Sequence, residues 1–276
     1  MKRQTLAQLA VCSWSGWPET PQVLLERLHG IGLSRVQLAL DPLLDKPEWA
    51  QTLPLLRAEE ITVVSGMFGT AEENYATPAT IRETGGLAPE IAYRAILERV
   101  PRYVALLDEL GLDKVSFHAG FIPHDPADPR RGELLARLGT VADAFAAKEK
   151  QLLLETGQET AATLVALLRE LDRPNLRVNF DPGNMLLYSM GEPLEALQML
   201  LPWVAQVHIK DAIASGDPEV WGTEMPAGEG QVNWPRFFAL LAEAGYAGNL
   251  VIERECGSDP VGEIRRAVNF LSTVLG

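Results

Sequence analysis

Short runs of apolar and β-branched residues alternate with longer amphipathic stretches along this chain of 276 residues. The short runs predict eight strands, at 6–14, 34–40, 61–68, 114–120, 151–156, 176–181, 204–211 and 249–255. Helical spacing of apolar residues predicts helices between them, the clearest at 21–32, 89–111, 132–150, 159–172 and 233–245. This alternation is typical of βα units around a parallel sheet.

The chain is expected to fold as one domain spanning 1–276, because no change in composition and no Pro/Ser-rich linker divides it. Eight βα units predict an α/β fold, a (β/α)8 TIM barrel, whose active site lies at the carboxyl ends of the strands. An open doubly wound sheet is the alternative, but the segment CSWSGWP after the first strand is not a Gly-rich phosphate loop. The long connection 68–89 is expected to be an active-site lid.

Composition is that of an ordinary globular protein, with 47% hydrophobic and 22% charged residues. The formal net charge of -13 opposes nucleic-acid binding, and the densest basic pairs, Arg130-Arg131 and Arg265-Arg266, are expected on solvated helix faces. No apolar run reaches the length of about 18 residues that a membrane span needs. Polar residues interrupt the N-terminal segment where a signal peptide needs an apolar centre. We therefore expect a cytoplasmic protein with neither a nucleic acid nor a membrane as partner.

The two cysteines, Cys12 and Cys256, are too few and too far apart for a disulfide framework or a zinc-type motif. We expect them to be small apolar residues near strand ends.

Four polar residues stand where the last four predicted strands run into their following loops: Glu155, Asp181, His208 and Glu253. Their spacing is close to one barrel unit of about 30 residues, except for the last interval, which an inserted loop lengthens. Successive strands can therefore deliver these side chains to one rim.

The alternation of side chains along a strand is consistent with that convergence. If Asp181 and His208 point into the barrel, Asn179, Gln206 and Lys210 do so as well. The intervening apolar residues then face the surrounding helices.

Three converging carboxylates would repel one another and raise their own pKa values unless a cation lay between them. Two Glu, one Asp and one neutral His suit a single divalent metal ion, Mn²⁺, Mg²⁺, Co²⁺ or Zn²⁺. The alternative is four unrelated helix caps and salt bridges. Asp181 in particular precedes Pro-Gly, which is good turn chemistry.

The segments LLLETGQET, VNFDPGNMLLY, VHIKDA, GEGQVNW and LVIERE, taken in order, resemble the xylose isomerase-like TIM-barrel superfamily, especially its sugar and sugar-phosphate 3-epimerases. The resemblance implies that Glu155, Asp181, His208 and Glu253 bind a metal and that Glu155 and Glu253 are catalytic. It also implies a ketose or ketose-phosphate 3-epimerase or isomerase. The metal would acidify a C–H next to the carbonyl by stabilising the enediolate, one Glu would remove the proton and the other would return it.

Two other functions remain open. The first is a metal-dependent lyase on the same site, of the inosose or dehydroshikimate dehydratase kind. The second is a non-catalytic sugar-binding barrel, although such a module does not need two acid/base Glu residues.

The resemblance has departures. Tagatose-type epimerases carry a substrate-binding His three residues after the strand-six Asp, where this chain has Asn184. Endonuclease IV, of the same superfamily, needs a dense set of His ligands, and this chain has four His in all: His29, His118, His124 and His208. DNA cleavage is therefore not expected.

Several further residues are candidates for the substrate site: His118 at the end of strand four, Lys210 on the inward face with His208, and Trp14, with Trp17, as an apolar wall for a sugar. The alternatives are a structural His, a salt bridge from Lys210 to Asp211 or Glu255, and simple packing of the Trp side chains. Glu229 is expected to lie in a structural Gly-rich turn and Arg254 to face outward. We expect a small sugar or sugar-phosphate substrate and assembly as a homodimer or homotetramer.

Overall fold

The computed structural model describes residues 6–70 and 72–275. Eight parallel strands close into a barrel: β1 (Leu9–Cys12), β2 (Arg35–Ala39), β3 (Thr62–Met67), β4 (Lys114–Phe117), β5 (Gln151–Glu155), β6 (Leu176–Phe180), β7 (Val204–Ile209) and β10 (Asn249–Ile252). Around the barrel they follow the order β1-β10-β7-β6-β5-β4-β3-β2. The predicted (β/α)8 barrel is confirmed, and all eight predicted strands are present, although each is shorter than predicted.

A small antiparallel hairpin of β8 (Asp211–Ile213) and β9 (Thr223–Met225) follows β7. The sequence pattern predicts a seventh strand that runs through Asp211, followed by an inserted loop. The barrel strand instead ends at Ile209, and Asp211 starts the hairpin.

Helices surround the barrel. They are α1 (Pro21–Ile31), α2 (Asp41–Asp45), α3 (Thr52–Ala58), α4 (Pro78–Thr84), α5 (Glu90–Glu109), α6 (Pro129–Ala146), α7 (Ala161–Leu171), α8 (Pro182–Leu187), α9 (Pro193–Leu200), α10 (Trp234–Glu243) and α11 (Pro260–Leu275), with short 3-10 turns at Leu6–Gln8 and Pro47–Trp49. The five helices predicted most clearly are all present. In the described part of the chain, no helix is long and apolar enough to cross a membrane.

The main apolar core lies between the strands and the helices, as the alternation of side chains predicts. The barrel interior is different, because it holds fully buried polar residues: Gln37, Ser65, Ser116, Asn179 and Gln206. They bond to one another across the barrel, for example Gln37 to Ser116 over 2.8 Å and Ser65 to Gln206 over 2.6 Å. This polar interior leads up to the carboxyl ends of the strands.

The basic pairs lie on helices, but one of the four side chains departs from the prediction. Arg131 is buried and forms an ion pair of 2.7 Å with Glu170 on the neighbouring helix α7. Arg130, Arg265 and Arg266 are exposed, as predicted. Cys12 is buried and Cys256 exposed, and both are free thiols.

Candidate metal and proton-transfer site

The four residues at the strand ends meet in one buried cluster. Glu155 ends β5, Asp181 directly follows β6, His208 lies near the end of β7 and Glu253 directly follows β10. Each offers one nitrogen or oxygen atom to a group in which all four atoms lie within 4.8 Å of one another. Four chain segments thus direct their polar groups to a single point.

The Nδ1 atom of His208 lies at the centre of this cluster. It is 3.3 Å from Oε1 of Glu155, 3.5 Å from Oδ2 of Asp181 and 3.5 Å from Oε2 of Glu253. Ligands held about 2.1 Å from one ion lie about 3.0 Å apart on an octahedral edge and about 3.4 Å apart on a tetrahedral edge. The spacing therefore fits a shared cation better than direct hydrogen bonds.

Two atoms of the cluster give a second test of that fit. Nδ1 of His208 and Oδ2 of Asp181 are buried and have no hydrogen-bond partner. Buried polar atoms are normally paired, so each such atom needs an explanation. A divalent cation bound between these residues would satisfy both atoms and offset most of the charge of the three carboxylates.

Nε2, the other ring nitrogen of His208, contacts a residue in the barrel interior. Its shortest contact joins Nε2 to Oε1 of Gln37, on β2, at 2.7 Å, which places the proton on Nε2 as the donor. Nδ1 then keeps its lone pair for a metal, the arrangement usual for metal-binding histidines. Cys12 Sγ lies 3.8 Å from Nε2, the ring nitrogen opposite Nδ1, and burial raises the pKa of this thiol far above its ordinary value.

Asp181 divides its two carboxylate oxygens between two tasks. Oδ1 accepts the backbone N–H of Asn184 over 2.9 Å and so caps helix α8, whereas Oδ2 points to the cluster. The helix cap and the site residue, which the sequence analysis treated as alternatives, are both present in one side chain. The cap fixes the direction of the remaining oxygen.

Glu155 is held by amide and imidazole groups. Asn184 Nδ2 donates to its Oε1 over 3.0 Å and Asn179 Nδ2 to its Oε2 over 3.2 Å. Nε2 of His118 lies 3.6 Å from Oε1, while its Nδ1 is buried and unpaired. His118 is therefore at the site, as predicted. Asn184, which the sequence analysis treated only as a departure from relatives, proves to be a partner of Glu155.

Glu253 is held from the other side by Trp14 and Lys210. The indole Nε1 of Trp14 donates to Oε1 over 2.6 Å, and Nζ of Lys210 donates to Oε2 over 2.9 Å. Lys210 also pairs with Glu255 over 2.6 Å. The predicted site position of Lys210 and its predicted salt bridge to Glu255 therefore both occur in the structure.

The predicted alternative, a pair between Lys210 and Asp211, is wrong. Asp211 turns away and accepts N–H donors from the following loop: Ala212, Gly228, Gly230, Val232 and the indole of Trp234. This buried carboxylate organises the segment 226–234 rather than the cluster.

Burial and charge act on the pKa values of the cluster in opposite directions. Burial alone would raise the pKa of Glu253, but Lys210 and His208 outweigh it and hold the value well below its usual range. For Glu155, burial is likewise outweighed, by His208 and His118, and the pKa is lowered. For Asp181 burial dominates and raises the pKa to about 6. Both Glu side chains are thus carboxylates near neutral pH.

His208 and Lys210 show the reverse balance. Burial would lower the pKa of His208, yet Glu155 and the other anionic groups raise it well above its usual value. The pKa of Lys210 is raised in the same way by Glu253 and Glu255. The carboxylates therefore create a strong preference for positive charge at this point.

Other candidates lie outside the cluster. Glu229 forms a 3.5 Å pair with Arg266, and Arg254 faces outward to Glu224 and Glu263, both as expected. His29 lies on α1, 3.5 Å from Glu59, away from the site.

The connection 68–89 touches the hairpin loop that follows β7. Nε1 of Trp221 donates to the carbonyl oxygen of Tyr75 over 3.2 Å, and Arg82 pairs with Glu219 over 3.4 Å. These contacts join two rim segments, and the role of 68–89 as a lid stays a prediction.

Gln37 is a partner in the site that the sequence does not predict. The inward alternation of β2 would have directed Gln37 into the barrel. Gln37 and His208 are 171 positions apart, so only closure of the barrel brings these two inward-facing residues together.

A closed (β/α)8 barrel with a buried Glu-Asp-His-Glu cluster at the carboxyl ends of its strands defines a barrel protein with a site suited to a divalent cation. The sequence matches the family described as Xylose isomerase-like TIM barrel over residues 25–274, and the chain belongs to that family.

Two characterised relatives match the chain over part of its length. A 3-dehydroshikimate dehydratase from Bacillus anthracis is 32% identical over 97 residues, which are 34% of each chain. The L-ribulose-5-phosphate 3-epimerase UlaE from Escherichia coli is 32% identical over 103 residues, 37% of this chain and 34% of the relative. The matched segments thus span about a third of these relatives.

Solved structures match the whole barrel. A xylose isomerase domain protein from Planctomyces limnophilus has a TM-score of 0.86 and 30% identity, covering 97% of this chain and 96% of its own. A xylose isomerase-like TIM barrel protein from Mycobacterium smegmatis, in complex with magnesium, has a TM-score of 0.66 and 18% identity, covering 92% and 89%.

Proposed function

We propose that the protein is a divalent-metal-dependent ketose or ketose-phosphate 3-epimerase or isomerase. The observation that carries the proposal is the placement of two glutamates around one point. Oε1 of Glu155 and Oε2 of Glu253 lie 3.3 and 3.5 Å from the same atom, Nδ1 of His208. β5 and β10 are separated by β6 and β7 in the barrel, so the two carboxylates reach that point from different strands, and a substrate carbon beside it would be near both.

Glu155, Asp181, His208 and Glu253 would hold the metal, through Nδ1 in the case of His208. When bound, a divalent cation supplies Lewis acidity that polarises a substrate carbonyl and acidifies the neighbouring C–H. The magnesium complex of the Mycobacterium smegmatis barrel supports a metal of this kind. Mn²⁺, Mg²⁺, Co²⁺ and Zn²⁺ are all compatible with the donor set.

The two glutamates would exchange protons with the substrate. Both have lowered pKa values, so either can start as the base. Removal of a proton by one Glu and its return by the other from the opposite face inverts a carbon centre. Return to the neighbouring carbon gives isomerisation instead.

The surroundings keep each carboxylate in place for that exchange. Asn184, Asn179 and His118 approach Glu155, whereas Trp14 and Lys210 approach Glu253. Lys210 and His118 would also be the donors nearest to substrate oxygens. Positioned partners of this kind account for much of the rate gain in proton-transfer enzymes.

A metal-dependent dehydratase is the second candidate, supported by the dehydroshikimate dehydratase among the relatives. The same first step, removal of a C–H proton next to a carbonyl, would then be followed by loss of a hydroxyl group as water. In that case the second carboxylate would protonate the leaving oxygen rather than carbon.

One experiment separates these candidates. Protein loaded in turn with each of the four metals would be incubated with ketoses, ketose phosphates and cyclic hydroxyketones, and the products analysed by mass and by chromatography. A new sugar of unchanged mass identifies an epimerase or isomerase, and loss of one water identifies a dehydratase. Neither change with any metal, or equal turnover in Glu253→Gln, contradicts the proposal.

A further inference from the structure

Trp17, in the loop after β1, is exposed although it is an aromatic residue beside the site. The side chain is 63% exposed, the most exposed large apolar residue in the described part of the chain. Its indole Nε1 nevertheless donates a 2.9 Å hydrogen bond to the carbonyl oxygen of Glu255. An indole held by its N–H edge keeps one orientation and presents a ring face to solvent.

The backbone of Trp17 shows that this orientation is imposed. Its φ angle is +55°, a left-handed conformation that bulky residues rarely adopt and that costs free energy. A turn holds the residue there, since its N–H donates to the carbonyl of Trp14 over 2.9 Å and Gly16 N–H donates to Arg254 O over 3.2 Å. A glycine would fit this backbone without strain, so packing and backbone geometry do not explain the indole.

Trp14 and Trp17 both contact the segment that directly follows β10. Trp14 bonds to the carboxylate of Glu253, and Trp17 bonds to the backbone of Glu255, two residues further on. The side chain of Glu255 pairs with Nζ of Lys210 over 2.6 Å, and the same Nζ donates to Glu253 over 2.9 Å. Trp17 is therefore bonded to a residue that shares Lys210 with the cluster, and it lies on the solvent-exposed side of that residue.

The mouth of the site carries further aromatic side chains. Tyr188 lies 4.8 Å from Trp221 and 5.7 Å from Phe121 between ring centres. The side chain of Tyr75 is half exposed. Its backbone carbonyl accepts the indole N–H of Trp221, which places Tyr75 next to this group. Aromatic faces are apolar surfaces that can pack against the C–H face of a sugar ring, and they offer no hydrogen-bond donor to a phosphate.

The charged side chains at the mouth of the site do not favour a phosphorylated substrate. Each of three cationic side chains at this end of the barrel already pairs with one or two carboxylates: Lys210 with Glu253 and Glu255, Arg254 with Glu224 and Glu263, and Arg82 with Glu219. A phosphate monoester carries between one and two negative charges near pH 7 and needs unpaired cations or N–H donors.

We propose that the substrate is a neutral glycoside whose second sugar ring stacks on Trp17, outside the reacting ring. This inference rests on the proposed function and narrows it, because it selects an uncharged substrate of at least two rings over a free or phosphorylated monosaccharide.

The test uses ketoses that differ only in the group on the terminal hydroxyl: hydrogen, phosphoryl or glucosyl, as in fructose, fructose 6-phosphate and 6-O-glucosyl-fructose and the matching sets from other ketoses. Metal-loaded protein would be assayed for solvent deuterium uptake into each sugar. We expect kcat/KM to be about tenfold higher for the glucosyl form than for the free ketose, mainly through KM, and lowest for the phosphate. Tenfold corresponds to about 1.4 kcal/mol.

Variants of Trp17 show whether this residue causes the preference for the glucosyl ketose. Trp17→Ala has the same unfavourable backbone angle but no ring, so we expect the ratio of glucosyl to free ketose to fall toward one. Trp17→Tyr restores an aromatic face and should recover most of the ratio. Met199→Ala is the control, because Met199 is a half-exposed apolar residue on α9, near the opposite end of the barrel.

The outcomes separate the stacking of a second ring on Trp17 from the proposed function itself. Preference for the phosphate, or a glucosyl preference that is unchanged in Trp17→Ala, overturns this inference and leaves the proposed function intact. No deuterium uptake with any sugar contradicts the proposed function. In that case, calorimetric titration measures the binding of the glucosyl ketoses without turnover. Equal affinity of wild type and Trp17→Ala overturns the stacking role of Trp17.

Discussion

Asn184 donates its side-chain amide to Oε1 of Glu155 over 3.0 Å, while its backbone N–H donates to Oδ1 of Asp181 over 2.9 Å. One residue thus connects the ends of β5 and β6. The backbone bond is independent of the side chain, so the two functions of Asn184 can be separated by substitution.

Replacing Asn184 with Leu should lower kcat at least about tenfold with a smaller change in KM. Leu has a similar volume but no donor for Glu155, and the loss of one charge-assisted hydrogen bond corresponds to about 1.5–3 kcal/mol. Steady-state kinetics on whichever sugar of the panel is turned over would measure this effect. Asn269→Leu, on an exposed part of α11, is the control, and an unchanged kcat in Asn184→Leu would show that Glu155 needs no support from this residue.

Replacing Asp181 with Asn should weaken metal binding without unfolding α8. The Asn side chain retains an oxygen that can cap the N–H of residue 184, but the negative charge next to Nδ1 of His208 is lost. Manganese should raise the melting temperature of the wild type, since a ligand that binds only the folded state stabilises it. The rise should be much smaller in Asp181→Asn.

Asp217→Asn is the matched control, because Asp217 also accepts a local backbone N–H but lies in an exposed turn. Equal manganese-induced shifts in wild type and Asp181→Asn, measured by scanning calorimetry, would argue against Asp181 as a ligand.

Replacing Asp211 with Asn should destabilise the fold by about 2–4 kcal/mol. The two oxygens of Asp211 accept five N–H groups, and an amide nitrogen in place of either oxygen would face donors instead of accepting from them. Urea unfolding would measure the loss, with Asp113→Asn as an exposed control. A change below about 0.5 kcal/mol would mean that the loop 226–234 does not depend on this carboxylate.

The stability of the protein should fall with rising pH because of Glu159. Burial raises the pKa of Glu159 from the ordinary 4.5 to about 8, and in the described structure no hydrogen bond to its carboxyl group is present to offset this. Between these two values the folded chain holds a proton that the unfolded chain has released. Stability therefore falls by up to about 1.4 kcal/mol per pH unit, with no penalty below the lower value and the full penalty above the higher one.

Glu159→Gln should remove this contribution, since Gln stays neutral. The difference in unfolding free energy between variant and wild type should grow in favour of the variant as the pH rises from about 5.5 to about 7.5. Urea titrations at several pH values would measure it, with the exposed Glu83→Gln as control. A difference that does not change with pH would show that Glu159 ionises normally.

The sequence predicted the barrel and the meeting of Glu155, Asp181, His208 and Glu253, because strand periodicity and regular spacing carry both. Helices such as α2 and α8 were not predicted, since five or six residues contain too little of the helical period to be recognised. The sequence also did not predict that the side chain of Asp211 faces away from Lys210. Its direction depends on where the loop 226–234 places its N–H groups, and local spacing does not encode that.

The support around each glutamate was only partly predictable. Trp14 and Lys210 were candidates from their positions at strand ends, but their common partner, Glu253, follows from closure of β1 and β7 around β10. The contact of Gln37 with His208 depends on the same closure. Such contacts across the barrel become visible only in three dimensions.

Proton exchange between a bound sugar and the pair Glu155 and Glu253 can be followed as solvent deuterium uptake at a C–H next to the carbonyl. NMR would measure this uptake in metal-loaded wild type, Glu155→Gln and Glu253→Gln. We expect uptake in the wild type and a loss of at least about a hundredfold in each variant, the scale of general acid–base catalysis. Uptake that is unchanged in both variants would contradict proton exchange by the two glutamates.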